Sequence, residues 1–116
     1  MKFVFIFIFF LSINLYSQYD LKYIGNISVI RNNQKINLDN AIKLYDKDII
    51  TTENDGYAEI KINGKYYYIA NNGKVNLDSK NAELKKGAIY IRNNAFKSLE
   101  EFKKYDNDLQ IYADPV

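Results

Sequence analysis

An apolar residue at every second position, repeated in four separated stretches, most restricts how this chain folds. Ile27 and Val29 alternate with Asn26 and Ser28, and Ala58, Ile60 and Ile62 with Tyr57, Glu59 and Lys61. Val75 and Leu77 alternate with Lys74, Asn76 and Asp78, and Ile89 and Ile91 with Ala88, Tyr90 and Arg92. Successive side chains of a strand point to opposite faces, so this period marks half-buried antiparallel strands. Asn63-Gly64 and Asn72-Gly73 lie between such stretches. This dipeptide best tolerates the positive φ angles of a tight hairpin turn. The triplet Asn-Gly-Lys recurs at 63–65 and 72–74, a spacing that suits consecutive hairpins of a meander and not a solenoid. Further strands are expected near 34–38, 48–52 and 108–113. Phe96, Leu99 and Phe102 at helical spacing, with Ser98 and Glu101 as a capping box, predict one short helix near residues 95–105. The expected fold class is all-β: an antiparallel β-sandwich or β-roll of short meander strands.

A two-residue turn at Asn63-Gly64 also predicts a register. Ile62 then faces Lys65, Ile60 faces Tyr67 and Ala58 faces Ile69 on one side of the hairpin. The other side sets Lys61 against Tyr66 and Glu59 against Tyr68, with Tyr57 next to Ala70. The first side reads as core. The second mixes aromatic rings with charge, the chemistry of a surface that holds a partner. Tyr57, Glu59, Lys61, Tyr66 and Tyr68 are therefore the candidate binding residues. The competing reading is that these rings cover a second sheet or shield an edge.

Met1 to Tyr16 have a different character. Lys2 precedes an unbroken apolar run from Phe3 to Leu11, which holds five of the seven Phe residues of the chain. The run weakens at Ser12 and Asn14 and ends near Ser17. It falls short of the roughly 20 apolar residues that span a bilayer and fits a secretory signal helix. Residues 1–17 are accordingly read as a signal peptide and 18–116 as one domain, an uncleaved anchor being the alternative. The expected localisation is periplasmic or secreted, with the membrane touched only through the signal segment during export. No Cys follows the run, which excludes a lipid anchor through Cys and suits an oxidising compartment.

Composition narrows the chemistry further. The 116 residues include no Cys, His or Trp and carry a formal net charge of +2. That removes thiolate and imidazole zinc sites, disulfides, Cys nucleophiles and His-based triads. Ser28, Ser79 and Ser98 have no His as base and occupy no Gly-x-Ser-x-Gly elbow. Near-neutral charge argues against a nucleic-acid partner, and the pairs Lys85-Lys86 and Lys103-Lys104 are not interleaved with aromatics. Asp46, Asp48, Glu53 and Asp55 lie in or beside expected turns, where such side chains cap the backbone. No neighbouring feature raises the pKa of one of them to make a glycosidase pair. Asp46-Lys47-Asp48, Asn54-Asp55-Gly56 and Asp106-Asn107-Asp108 lack the spacing of a calcium loop. Glycines 25, 56, 64, 73 and 87 are spread one per turn and form no phosphate loop. Asn26-Ile27-Ser28 is a glycosylation triplet inside a predicted strand. No catalytic residue, cofactor or metal is expected.

The order of these elements from Tyr23 to Arg92 resembles a FecR-like domain. Gly25-Asn26-Ile27-Ser28-Val29-Ile30-Arg31 is similar to the family's opening strand, and Asp48-Ile49-Ile50-Thr51-Thr52 to its Asp-x-Ile-x-Thr segment. Gly56-Tyr57-Ala58-Glu59-Ile60, the turn Asn63-Gly64-Lys65 and Leu84-Lys85-Lys86-Gly87-Ala88-Ile89-Tyr90-Ile91 follow in the family order. Lys47 stands where the family has Gly. The sequence given ends at Ala113-Asp114-Pro115-Val116, near where relatives continue into another strand, which would leave an edge strand unpaired. The resemblance implies an exported, non-enzymatic binding or signalling module of the bacterial cell envelope. Its partner would be an envelope protein or a saccharide. The alternatives are a small carbohydrate-active enzyme with paired carboxylates and a self-assembling structural envelope subunit.

Overall fold

Each alternating stretch forms a strand, and the alternation decides which side of it is covered. The computed structural model describes residues 18–38, 42–78 and 81–113, so the expected signal helix of residues 1–17 lies outside the described residues. The strands are β1 (Gln18–Ile24), β2 (Ile27–Arg31), β3 (Gln34–Lys35), β4 (Ile42–Tyr45) and β5 (Ile49–Thr52). They continue as β6 (Tyr57–Ile62), β7 (Lys65–Ile69), β8 (Lys74–Asp78), β9 (Asn81–Lys86) and β10 (Ile89–Arg92), followed by helix α1 (Leu99–Ala113). Two antiparallel five-stranded sheets result, a first ordered β10-β7-β6-β1-β4 and a second ordered β3-β2-β5-β8-β9. Leu21, Ala58, Ile60, Ile62 and Ile69 of the first sheet meet Val29, Ile50, Val75 and Leu77 of the second in one buried cluster. Burying an Ile or Leu fully contributes about 1.5–3 kcal/mol, so this layer is the main source of stability. An antiparallel β-sandwich is thus the architecture.

The Asn63-Gly64 turn joins β6 to β7 in the expected register. Ala58 faces Ile69, Glu59 faces Tyr68, Ile60 faces Tyr67, Lys61 faces Tyr66 and Ile62 faces Lys65. Asn63 and Gly64 both have positive φ, 51° and 78°, as the twist of a two-residue hairpin requires. Asn72-Gly73 does not make a second hairpin. β7 and β8 belong to different sheets, so this turn carries the chain across the sandwich. The reason is a contact distant in sequence. The Thr52 N–H donates to the Gly73 carbonyl at 2.9 Å, and the Gly73 N–H donates to Thr52 Oγ1 at 2.8 Å. The other in-sheet hairpins are β2–β3, turned by Asn32 and Asn33 at φ of 53° and 62°, and β8–β9.

Three further strands complete the sheets. β1 sets Tyr19 and Leu21 inward, extending the alternation to residues before Tyr23. β4 and β9 are outer strands of the first and second sheets. The expected strand at 108–113 is instead the end of α1, which runs well past residue 105. Its start matches the capping box: the Glu101 N–H donates to Ser98 Oγ at 3.2 Å. Its later turns follow from Asp106, a fully buried carboxylate on the same helix face as Phe102. An apolar-period reading passes over such a residue.

Connections between the sheets stack on one another at one end of the sandwich. The β1–β2 connection lies against the β5–β6 connection, where the Glu53 N–H donates to the Asn26 carbonyl at 2.9 Å. Asn26 also bonds both carboxylate oxygens of Asp55. The residue therefore sits in this arch, one position before β2, and not within a strand. Gly25 has φ of +70°, and a Cβ placed there would lie 1.9 Å from the Asp55 carbonyl oxygen. Both conditions exclude a side chain. Gly25→Ala is expected to lose about 2–4 kcal/mol of unfolding free energy, the sum of overpacking and left-handed strain, measured by urea titration.

Candidate functional site

The five residues expected to face a partner lie on the outer side of the first sheet, and α1 divides them. Tyr57 is 2% exposed and Tyr68 is fully buried. Both belong to a second core cluster with Ala70, Phe96 and Phe102. The Tyr68 ring lies 4.9 Å from both Phe96 and Phe102, and Tyr57 meets Phe102 edge-on at 5.8 Å. Tyr57 and Tyr68 are therefore core residues and not part of an exposed face. The cause is α1: the apolar side of Leu99 and Phe102 needs cover, and the tyrosine side of the hairpin supplies it. The competing reading has these rings against a second sheet, and the layer that covers them is instead α1.

The hydroxyls of Tyr68 and Tyr90 are both engaged. Tyr68 Oη donates to Glu59 at 2.7 Å and accepts the Phe96 N–H at 2.8 Å. Tyr90 Oη donates to the buried Asp106 carboxylate at 2.7 Å. Burial, aided by hydrogen bonding to Glu59, pushes the Tyr68 phenol up to about 12. Burial and the Asp106 carboxylate do the same for Tyr90, to about 12. Tyr57 is raised by burial first and by Asp106 second. Glu59 is thus a support for Tyr68, half-buried at the border of the helix.

Beyond the helix, part of the face remains open, including one row that crosses the whole sheet. Strand pairing aligns Lys43 with Asp20, Asp20 with Lys61, Lys61 with Tyr66 and Tyr66 with Arg92, across all five strands. Lys61 is exposed and its ammonium stands 5.6 Å from the centre of the Tyr66 ring. The Arg92 guanidinium lies over Phe96 at 3.8 Å, which holds it flat at the far side of Tyr66. Lys43 pairs with Asp20 at the other end of the row, and this hydrogen bond holds the Asp20 carboxyl below its ordinary range. What stays available is a half-buried tyrosine between two cations, an arrangement that accepts anions and planar groups. Arg92 joins the site only through the register of β10 on β7. Two strands joined across the sandwich give no local signal of that pairing.

A cleft of about 440 Å³ is lined by Arg31, Tyr45, Asp46, Asp48 and Asp78 among others. Arg31, Asp46 and Asp48 in it are already engaged. Arg31 donates from Nε and Nη2 to the two oxygens of Asp48 at 2.9 and 2.7 Å. It also reaches the Lys43 carbonyl at 3.2 Å and stacks over Tyr45 at 4.7 Å. Asp48, 1% exposed, accepts the Tyr45 N–H as well. Asp46 accepts the Tyr19 hydroxyl at 2.6 Å. These carboxylates act as turn and strand anchors, the role expected for them. Among the described residues no group of three or more carboxylates is arranged to hold a metal ion. Compared with family models, curated proteins and solved structures, the chain gives no match.

Two measurements check this division of the face. Tyr68→Phe leaves the Phe96 N–H and Glu59 without their partner and is expected to cost about 1–3 kcal/mol. Tyr66→Phe is expected to stay within about 0.5 kcal/mol of the parent protein. Stability is also expected to fall in alkali. The unfolded phenols ionise near pH 10 and those of Tyr68 and Tyr90 only at about 12. Between these values the unfolded state holds fewer protons, so stability intact below pH 10 is lost as pH rises through 12. Urea midpoints across that range, with Tyr68→Phe as the control for one of the two groups, measure the effect.

Proposed function

We propose that this chain is an exported, non-enzymatic binding module of the bacterial cell envelope, and that it contacts a protein or saccharide partner through the Lys61–Tyr66–Arg92 row. The observation that carries the reading is the row itself. A partly exposed ring is held between two cations on the outer side of a sheet that the helix covers only in part. The secretory pattern of residues 3–11 and the FecR-like order of elements support the envelope setting. The near-neutral net charge favours a local anionic contact over a polyanionic duplex. A partner would place a carboxylate, a phosphate or an acidic sugar between Lys61 and Arg92 and pack a ring or an apolar edge on Tyr66.

The test is site-specific photocrosslinking from position 66 in intact bacterial cells, followed by mass spectrometry. One envelope partner is expected to be captured from this position and not from Thr51 on the second sheet. Lys61→Gln with Arg92→Gln is expected to lower that capture about tenfold, the effect of removing two rim charges. Equal capture by the parent and the double variant would overturn the reading.

A further inference from the structure

The four outer strands of the sandwich are not protected alike. An outer strand leaves main-chain N–H and C=O groups ready to pair with another chain, and proteins blunt it by brevity, charge or a bulge. β3 is only two residues long. β4 carries Lys43, paired with Asp20. β9 bears Glu83, Lys85 and Lys86, and its ladder with β8 shifts register between Lys74 and Val75. β10 pairs regularly with β7 over all four of its residues. Its centre is Ile91, 56% exposed although it points toward the interior side of the sheet. Leu84 of β9, 38% exposed, opens on the same lateral mouth of the sandwich.

The ladder also shows which main-chain groups of β10 are available. The Ala70 N–H donates to the Ala88 carbonyl at 3.1 Å. In an antiparallel pair, bonded and non-bonded residues alternate. Tyr90 and Arg92, two and four residues on, therefore turn their N–H and C=O groups toward β7. Ile89 and Ile91 turn theirs outward. The free side of β10 thus offers two complete donor–acceptor sets, flanked by an exposed isoleucine on one face and Arg92 on the other.

We propose that β10 is a docking edge that takes an extended strand from a partner protein into the first sheet. The partner strand sets apolar side chains beside Ile89 and Ile91 and an acidic side chain beside Arg92. A second copy of this chain fits less well, because its own β10 has no acidic residue to meet Arg92. The inference rests on the proposed binding role and deepens it, since Arg92 ends the exposed row and also closes the edge.

The probe is a fluorescein-labelled hexapeptide of sequence Thr-Val-Glu-Val-Thr-Val, blocked at its C-terminus, titrated into the mature chain. Saturable binding is expected, with the Ile89 and Ile91 amides gaining protection from hydrogen exchange. Ile91→Pro deletes an outward N–H without touching the β7 ladder and is expected to weaken binding at least tenfold. Ile91→Lys, the substitution by which natural edges are blunted, is expected to act in the same direction and decides the matter if the proline variant does not fold. Arg92→Glu is expected to weaken binding of this peptide and to favour one with Lys in place of Glu. Lys35→Gln, on the outer strand β3 of the other sheet, is expected to leave peptide binding unchanged. Absence of saturation, equal binding by both Ile91 variants, or a dimer formed through β10 in sedimentation would overturn the proposal. If crosslinking from position 66 persists in that case, the edge alone has failed and the basic row stands.

Discussion

Strand β5 is held at both ends by a buried polar side chain, and the two sheets take their relative position from it. At one end Asp48 gathers Arg31 of β2 and the Tyr45 N–H of β4 on its carboxylate. Its own carbonyl accepts the Leu77 N–H of β8. At the other end Thr52 Oγ1 donates to the Ala70 carbonyl at 2.6 Å and accepts the Gly73 N–H. The three residues between them place Ile50 in the centre of the core. Apolar contact alone is non-directional and tolerates sliding. Two satisfied polar anchors at a fixed separation do not, because a shift of register would strand each of them in the interior.

Given that frame, the first sheet is the middle layer of three. Its inner side faces the second sheet and its outer side faces α1, so β6 and β7 are covered on both faces over most of their length. The helix stops short of one row of the sheet. The same packing that consumes Tyr57 and Tyr68 therefore defines where Lys61, Tyr66 and Arg92 remain reachable. Binding surface and core are here two halves of one hairpin face.

Much of this was legible from local chemistry. The pairing across Asn63-Gly64, the inward set Ala58, Ile60, Ile62 and Ile69, and the start of the helix at Ser98 each depend on neighbours within a few residues. The misread parts depend on distant ones. Asn72-Gly73 has the composition of a hairpin turn, yet only Asn72 adopts positive φ, at 56°; Thr52, some twenty residues earlier, holds the turn open. The end of α1 contains Ile111 and Tyr112, residues at home in strands, and the helix persists because Asp106 is bonded beneath it. Tyr57 and Tyr68 looked like surface residues because the layer that covers them lies about thirty residues or more further along the chain. The open row was half visible, since Lys61 and Tyr66 come from one hairpin, whereas Arg92 arrives from a strand whose pairing no local signal announces.

The two strand orders have a consequence for how the chain folds. Read from the same side, the sheets run β10-β7-β6-β1-β4 and β9-β8-β5-β2-β3, so every strand shares its rank with its chain neighbour in the opposite sheet. Facing strands are thus the ones joined by short loops, and the entropy of closing such loops is small. In-sheet partners such as β1 with β6, or β2 with β5, are separated by much longer stretches of chain. Hydrophobic contact between layers can therefore precede the hydrogen-bonded ladders that stabilise each layer. The in-sheet pairings of high sequence separation are therefore the slow steps expected in the folding of such a protein, and the hairpins β2–β3, β6–β7 and β8–β9 the fast ones.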